Sequence, residues 1–383
     1  MKKIRILLML LLSLVILLSM GCNKNESDQE RTDSENKENV ESVTDVKKED
    51  DSKQVISVFD DEFEIKEGPY KVALCNSSVG NSWRVQMVAE FENACEELIK
   101  EGVVSEYFVT NANGDITKQI NDMRDLITKD VDIIAITCTS GTALTDVCDE
   151  AMEEGIKVVS FDNYLEYEDG EVHETARIGV EQEEFGKIWA EWLVDALDGE
   201  GNIVTLQGMA GTSGSELRWK GAEDVFSEYP DIKVIGEAFG DWDYAKGKSS
   251  MEQLLAAHDD NIDGVWSQGG AMTQGAIDAY TERGKELVPM TGEANNGMLK
   301  AWKENIDSGF TSIAPDSPSY CSTEALKLGL RACEGEDVSG YHPFELQIVT
   351  QDNLDDYVRE DLPDSFWVFT HLSDDQIKEL FSK

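Results

Sequence analysis

From Tyr70 onward, short runs rich in β-branched and aromatic residues alternate with longer helical patterns, and the alternation runs through twice. Few architectures satisfy such a chain, because parallel strands need a crossover of a dozen or more residues and a helix is the usual one. The first pass reads as strands at Tyr70–Cys75, Ser105–Thr110, Ile133–Thr137 and Val158–Asp162, with helices at Trp83–Glu101, Ile116–Lys129 and Ala143–Glu154 between them. The second pass opens with a helix at Gly186–Leu197 and continues with strands at Ile203–Leu206, Ile232–Ala238, Gly264–Ser267 and Val288–Thr291. Its intervening helices read as Glu216–Ser227, Ala245–Ala257 and Met272–Arg283. The unbroken apolar run Ile133-Ile134-Ala135-Ile136 suits a parallel strand covered on both faces, and the crossovers are expected to be right-handed. The expected fold is therefore α/β, with two Rossmann-like doubly wound lobes. Ligands in such sheets bind outside the carboxyl ends of the strands, so two facing lobes leave a cleft between those ends.

Residues 1–22 read as an export signal: Lys2, Lys3 and Arg5, an apolar run from Ile6 to Leu18, then Ser19-Met20-Gly21-Cys22. The run is short for a membrane span. Gly21 before Cys22 resembles a bacterial lipobox, which makes Cys22 the expected acylated N-terminus, although Ser19 and Met20 depart from the usual residues there. Residues 23–66 form an expected acidic tether, too polar up to about Lys53 to bury a core, with Val55 to Lys66 open as a first ordered segment. Such a tether keeps the following domain near the membrane and its partners. About 315 residues follow, more than one core usually serves.

A formal charge of −45 with no basic stripe excludes nucleic acid as a partner. Beyond Cys22, the cysteines at 75, 95, 138, 148, 321 and 333 lie in apolar contexts without metal-ligand spacing. They read as buried small side chains, with Cys75 and Cys138 a conceivable pair across neighbouring strands. No metal and no cofactor is expected.

Four loops at strand ends stand out. In Leu206-Gln207-Gly208-Met209-Ala210-Gly211-Thr212-Ser213-Gly214, glycines turn a strand into a helix from about Ser215, placing Arg218 in its first turn at the cleft mouth. A guanidinium there offers five donors to a polar ligand; the alternative is a surface arginine. The loop Asn76-Ser77-Ser78-Val79-Gly80-Asn81-Ser82-Trp83-Arg84 joins Ser77 and Asn81, as partners for hydroxyls, to Trp83, whose ring suits the C–H face of a sugar. Helix capping by Asn81 or Ser82 reads equally well. Asp162-Asn163 offers a carboxylate able to accept two hydroxyl bonds, or a plain turn. Trp242, in Gly240-Asp241-Trp242-Asp243-Tyr244, supplies a second aromatic opposite the first, or packs in the core.

With these loops in order, the chain from Tyr70 to Gln351 resembles the ribose-binding, periplasmic-binding-protein type I branch of ABC-transporter solute receptors. The likeness is most specific in Leu206 to Gly221, in Lys157-Val158-Val159-Ser160-Phe161-Asp162 and in Asn81-Ser82-Trp83. It implies a venus-flytrap fold, a sugar held between lobes, and recognition of the closed form by a membrane permease with its ATPase on the far side. It also implies a monomer that is not an enzyme, anchored by lipid at the extracytoplasmic face of the membrane (periplasmic where there are two membranes). Ser77, Asn81, Trp83, Arg84, Asp162, Asn163, Arg218 and Trp242 fall where the family contacts its sugar. The resemblance places hinge crossings near Ile178 to Val180, Ile313 to Asp316 and Phe344 to Ile348. It assigns residues 67–178 with 316–343 to the N-terminal lobe, and 179–315 with 344–383 to the C-terminal lobe.

Departures from the family pattern bear on the ligand. Gln268-Gly269-Gly270 replaces a common Asn-Asp, so a side-chain contact is expected to be missing; Gly292-Glu293-Ala294 replaces a Phe-Asp pair; Asn163 stands where arginine is frequent; and Asp316 lies near a family glutamine. Asp162, Glu293 and Asp316 then face Arg84 and Arg218, which favours a neutral sugar or polyol, and an amino sugar over a sugar acid. A sensor that docks on a chemoreceptor or kinase is the alternative role for the same fold. Catalysis is disfavoured, since Gly208 to Gly214 lacks the G-K-[ST] of a phosphate loop and the G-x-G-x-x-G spacing of a dinucleotide fold, no G-x-S-x-G elbow occurs, and the four histidines form no metal motif. The export signal and the lack of a basic helix-turn-helix exclude a repressor of related fold.

Overall fold

The structure is a computed structural model that describes residues 54–55 and 64–382. The expected signal segment, Cys22 and the tether up to Lys53 lie outside the described residues. Strands β1 (Gln54–Val55) and β2 (Glu64–Ile65) pair antiparallel. The folded body therefore begins before Lys66, within the stretch left open as a first ordered segment, and Ile65 buries its side chain in a core with Tyr70 and Val103. The Glu334 carboxylate fixes the same entry, accepting from the Lys66 and Glu67 backbone N–H groups at 2.9 and 3.1 Å.

The first lobe runs through β3 (Tyr70–Asn76), α1 (Ser82–Lys100), β4 (Val104–Asn111), α2 (Ile116–Thr128), β5 (Ile133–Ile136), α3 (Thr145–Glu153), β6 (Lys157–Phe161) and β7 (Ala176–Gly179). The second contains α4 (Gln182–Ala196), β8 (Gly201–Gln207), α5 (Ser213–Glu228), β9 (Ile232–Phe239), α6 (Tyr244–His258), β10 (Gly264–Ser267), α7 (Gly270–Glu282), β11 (Met290–Thr291), α8 (Asn296–Asn305) and β12 (Ser312–Pro315). The chain then returns through α9 (Cys321–Cys333) and β13 (Tyr341–Pro343) to the first lobe. It continues with β14 (Ile348–Val349) and α10 (Leu354–Tyr357) in the second and ends at α11 (Asp374–Leu380).

The first sheet has the order β13-β7-β6-β5-β3-β4 and is parallel throughout; the second, β14-β12-β11-β10-β8-β9, is parallel except for the antiparallel β12–β14 pair. Strand order reverses between β3 and β5 in one sheet and between β8 and β10 in the other, the positions at which such sheets open a crevice. Ile133 and Ala135 belong to one core of the first lobe and Ile134 and Ile136 to the other, so the unbroken apolar run feeds both faces of its sheet.

The chain passes between lobes after β7, after β12 and between β13 and β14, and then a fourth time, which the sequence reading missed. The end of the chain, from about Thr370, does not stay with the second lobe, as the 344–383 boundary had it. Leu372 and Ile377 pack with Ala89 of α1, and Gln376 donates to Asn93 at 2.5 Å. A cluster of apolar residues along this segment, including Leu362 and Phe366, needs a surface to cover it, and α1 supplies one. All six cysteines among the described residues are free, Cys75 and Cys138 included. Burial raises the thiol pKa values of both.

Candidate functional site

On the second lobe the site is built around the turn after β8. The side chain of Gln268, from the neighbouring strand end, fastens that turn: its Oε1 accepts from Gly208 N–H and Ser215 Oγ, both at 3.0 Å, and its Nε2 donates to Ser215 O at 3.0 Å. A Cβ on Gly208 would stand 2.1 Å from the indole of Trp242, so this glycine clears space for a ring, whereas Gly211, at φ +78°, shapes the turn itself. Helix α5 starts at Ser213, which puts Arg218 in its second turn rather than its first. Nor does Arg218 lie at the surface, being only 4% exposed.

Close packing of α4 on α5 explains that burial. A Cβ on Gly186 would come within 1.8 Å of Arg218 O, and one on Gly221 within 1.9 Å of Glu183 O. Arg218 donates from Nε to Gln182 Oε1 (2.7 Å) and from Nη1 to Gln268 O (2.9 Å) and Glu293 Oε1 (2.8 Å). Its guanidinium lies 4.7 Å from the Phe185 ring centroid, 5.4 Å from Trp189 and 5.9 Å from Trp242. Its Nη2 makes no hydrogen bond among the described residues. Trp242 is held in left-handed backbone geometry (φ 54°, after Asp241 at 51°) and donates from Nε1 to Gln268 O at 3.2 Å. That conformation is costly for a bulky residue and is found where the surroundings enforce it, as at ligand clamps.

On the first lobe Asn81 caps α1, its Oδ1 accepting from Arg84 N–H at 2.9 Å. Trp83 donates from Nε1 to Ser317 O at 2.7 Å. Arg84 donates from Nη1 to Thr137 Oγ1 (2.9 Å) and from Nη2 to Asp162 Oδ2 (2.5 Å). Asp162, also left-handed at φ 59°, follows β6 directly, and its Oδ1 takes no hydrogen bond among the described residues.

These two constructions face one cleft, open in part to solvent. Asn81, Trp83, Arg84, Asp162 and Asn163 line it from the first lobe, and Arg218, Trp242 and Glu293 from the second. Asn163 and Gly214 meet across the gap, 3.4 Å separating Asn163 Oδ1 from the place of a Cβ on Gly214.

Two expected contacts are not among the cavity's walls. Ser77 is buried beneath its loop, its carbonyl accepting from Gly114 N–H at 2.9 Å, and Asp316 is enclosed at the second crossing, its N–H bound to Gln347 O at 2.8 Å. Burial drives the Asp316 carboxyl well above the usual carboxylate range, with the nearby Glu293 adding to the effect. Burial likewise raises Glu293, against the opposing pull of Arg218. Gly214, in the turn already singled out, is a further wall, and three more, Gln182, Ser317 and Trp367, were not anticipated. Gln182 and Ser317 sit beside expected hinge crossings, which could have signalled them; Trp367 lies past both repeats and carries no such signal. No group of residues able to hold a metal ion occurs among the described residues, and none of their helices is long and apolar enough to cross a membrane.

A family model described as "Periplasmic binding protein domain" matches residues 72–337. The chain is 29% identical over 247 residues to the xylitol-binding protein of Mycolicibacterium smegmatis, covering 64% of this chain and 68% of that one. It is 31% identical over 243 residues to the D-xylose-binding periplasmic protein of Haemophilus influenzae, covering 62% and 71%. Its fold is similar to the crystal structure of an ABC transporter solute binding protein from Thermobispora bispora, with a TM-score of 0.70 at 24% identity over 81% of this chain and 94% of the other.

Proposed function

Since the chain belongs to the periplasmic binding protein domain family, we propose that it captures a small neutral sugar or polyol between its lobes and delivers it to an ABC importer. One observation carries this reading: each lobe brings to the cavity one indole and one arginine already neutralised by a carboxylate of its own lobe. Indoles cover the C–H faces of a sugar ring, while the unused Asp162 Oδ1 and Arg218 Nη2 supply an acceptor and donors for its hydroxyls. A sugar acid would find no cation free of a carboxylate, which favours an uncharged ligand. The relatives that take xylitol and D-xylose point the same way.

Closure follows if the ligand binds better when both lobes touch it, because only differential affinity shifts a two-state population. Asp162 and Arg218 lie on opposite lobes and meet that requirement. Acylation at Cys22, a tether and a place at the outer face of the cell membrane complete the proposal, resting on the N-terminal sequence. Thermal shift and calorimetric titration with xylitol, D-xylose, D-ribose, an amino sugar and a sugar acid test it. A neutral member at a hundredfold excess over Kd is expected to add about 2.7 kcal/mol of stability. Tight binding of the sugar acid alone overturns the reading.

A further inference from the structure

The fourth crossing does more than return the chain to α1. Between Arg359 and Leu372 the backbone is fastened to both lobes. On the second lobe, the Asn296 side chain donates to Arg359 O (2.9 Å) and accepts from Arg359 N–H (2.9 Å), while the Asn296 and Gly297 N–H groups donate to Phe366 O (2.8 Å) and Asp364 O (3.0 Å). On the first lobe, Glu90 accepts from the Thr370 hydroxyl and from His371 N–H (3.2 Å).

The two sets of bonds interleave at a single residue. Phe366 O and Val368 N–H bond to Asn296 N–H and Ala294 O of the second lobe, at 2.8 and 3.2 Å. Trp367 between them turns both of its peptide groups to the first lobe: its N–H donates to Gln86 Oε1 (3.0 Å) and its carbonyl accepts from Gln86 Nε2 (2.9 Å). This is the alternation of an extended strand, whose successive peptide groups face opposite sides, with one side chain amide standing in for a neighbouring strand. The Trp367 indole donates to Ser82 Oγ at 3.0 Å, is 4% exposed, and lines the same cavity as Trp83 and Trp242. The segment itself lies beyond the family match, which ends at residue 337, while its partners lie within it.

We propose that residues 359–372 act as a fourth hinge strand and that Trp367 is a third aromatic wall of the ligand site, so that a segment beyond the end of the family match sets both ligand affinity and the freedom of the lobes to open. The affinity half rests on the sugar-binding reading above; the lobe half does not. Separating the lobes at this point requires breaking either the paired Gln86 bonds or the bonds to Ala294 and Asn296, and the Trp367 ring occupies the place where those choices meet the cavity.

The test takes the full chain and its Trp367→Ala, Trp367→Phe, Gln86→Ala and Ser82→Ala variants. Ligand affinity is read calorimetrically with xylitol, D-xylose and D-ribose, and the ligand-free radius of gyration by small-angle X-ray scattering. W367A is expected to weaken binding about tenfold or more, the scale of a lost buried aromatic contact, and Q86A and W367A to enlarge the ligand-free particle. W367F, which keeps an aromatic ring in that place, is expected to preserve the size of the particle. Should W367A not fold, S82A decides the affinity half: a several-fold loss supports it and unchanged affinity overturns it. Unchanged scattering in Q86A overturns the hinge half. If the unmodified chain binds no member of the panel, the sugar reading fails for these ligands while the scattering still judges the strap.

Discussion

The two arginine–carboxylate pairs of the cavity look alike in composition and differ in setting. Arg218 and Glu293 are 5% and 4% exposed in their side chains, whereas Arg84 and Asp162 are 11% and 19% exposed. The inner pair is enclosed by Phe185, Trp189 and Trp242 and fastened to Gln182 and Gln268, so its members have little choice but each other. The outer pair leans on Thr137 and leaves a carboxylate oxygen unspent. A buried pair whose partner is removed strands a charge in a low-dielectric interior; a pair that solvent still reaches, as at Asp162, is penalised less. The inner pair should therefore act chiefly as architecture that happens to line the site, and the outer pair as the more adaptable ligand contact.

Breaking the inner pair gives the largest expected effect. Glu293→Ala should destabilise the protein by about 3 to 5 kcal/mol, measured by urea denaturation, because Arg218 is left charged among aromatic rings. An effect below about 1 kcal/mol would dissolve the contrast with the outer pair.

The second test contrasts both pairs with a carboxylate that has hydrogen-bond donors in place of a cation. Burial pushes Glu90 up from 4.5 to about 7 despite its bonds from Thr370, His371 and Ser319. The folded state then holds this proton more tightly than the unfolded one, so stability should fall as pH rises from about 4.5 to about 7, by up to about 3 kcal/mol from this group. Urea midpoints on either side of that window should show a flatter slope for Glu90→Gln than for the unmodified chain; parallel slopes would remove Glu90 as the cause.

Third, Asp162→Ala should cost about 1 to 3 kcal/mol of affinity for a bound neutral sugar while costing less stability than the change at Glu293. Calorimetry and denaturation on the same variant separate the two; a larger loss of stability than of affinity would reverse the roles assigned to the pairs. The smallest effect is expected at Asn81, where replacement by alanine removes the cap of α1 and about 1 kcal/mol of stability, visible in the melting temperature.

Much of this was legible before the structure. The strand at Gly264–Ser267 has the expected bounds, and most elements of the two repeats differ from expectation by only a few residues at their ends. A periodicity that fills both faces of a parallel sheet, as Ile133 to Ile136 does, survives any detail of packing. The glycines were legible as needed but not in purpose. Gly208 reads as a turn residue, yet its missing Cβ serves Trp242, more than thirty positions away, and no local rule reports such a contact. Asn81 has a place in both readings of its loop, since it caps α1 and lines the cavity.

What the sequence determined by itself was the alternation of strands and helices, hence two doubly wound lobes, and hence a cleft at their carboxyl ends where Trp83, Arg84, Asp162, Arg218 and Trp242 had to come near one another. Those inferences rest on local pattern and connectivity, which a linear text carries. Tertiary structure alone decided which carboxylate each arginine takes, that Arg218 is buried rather than exposed, and that a segment beyond both repeats threads Trp367 into the cavity wall. Each of these depends on distances between residues far apart in the chain, fixed by how glycine-lined helices and apolar surfaces close on one another.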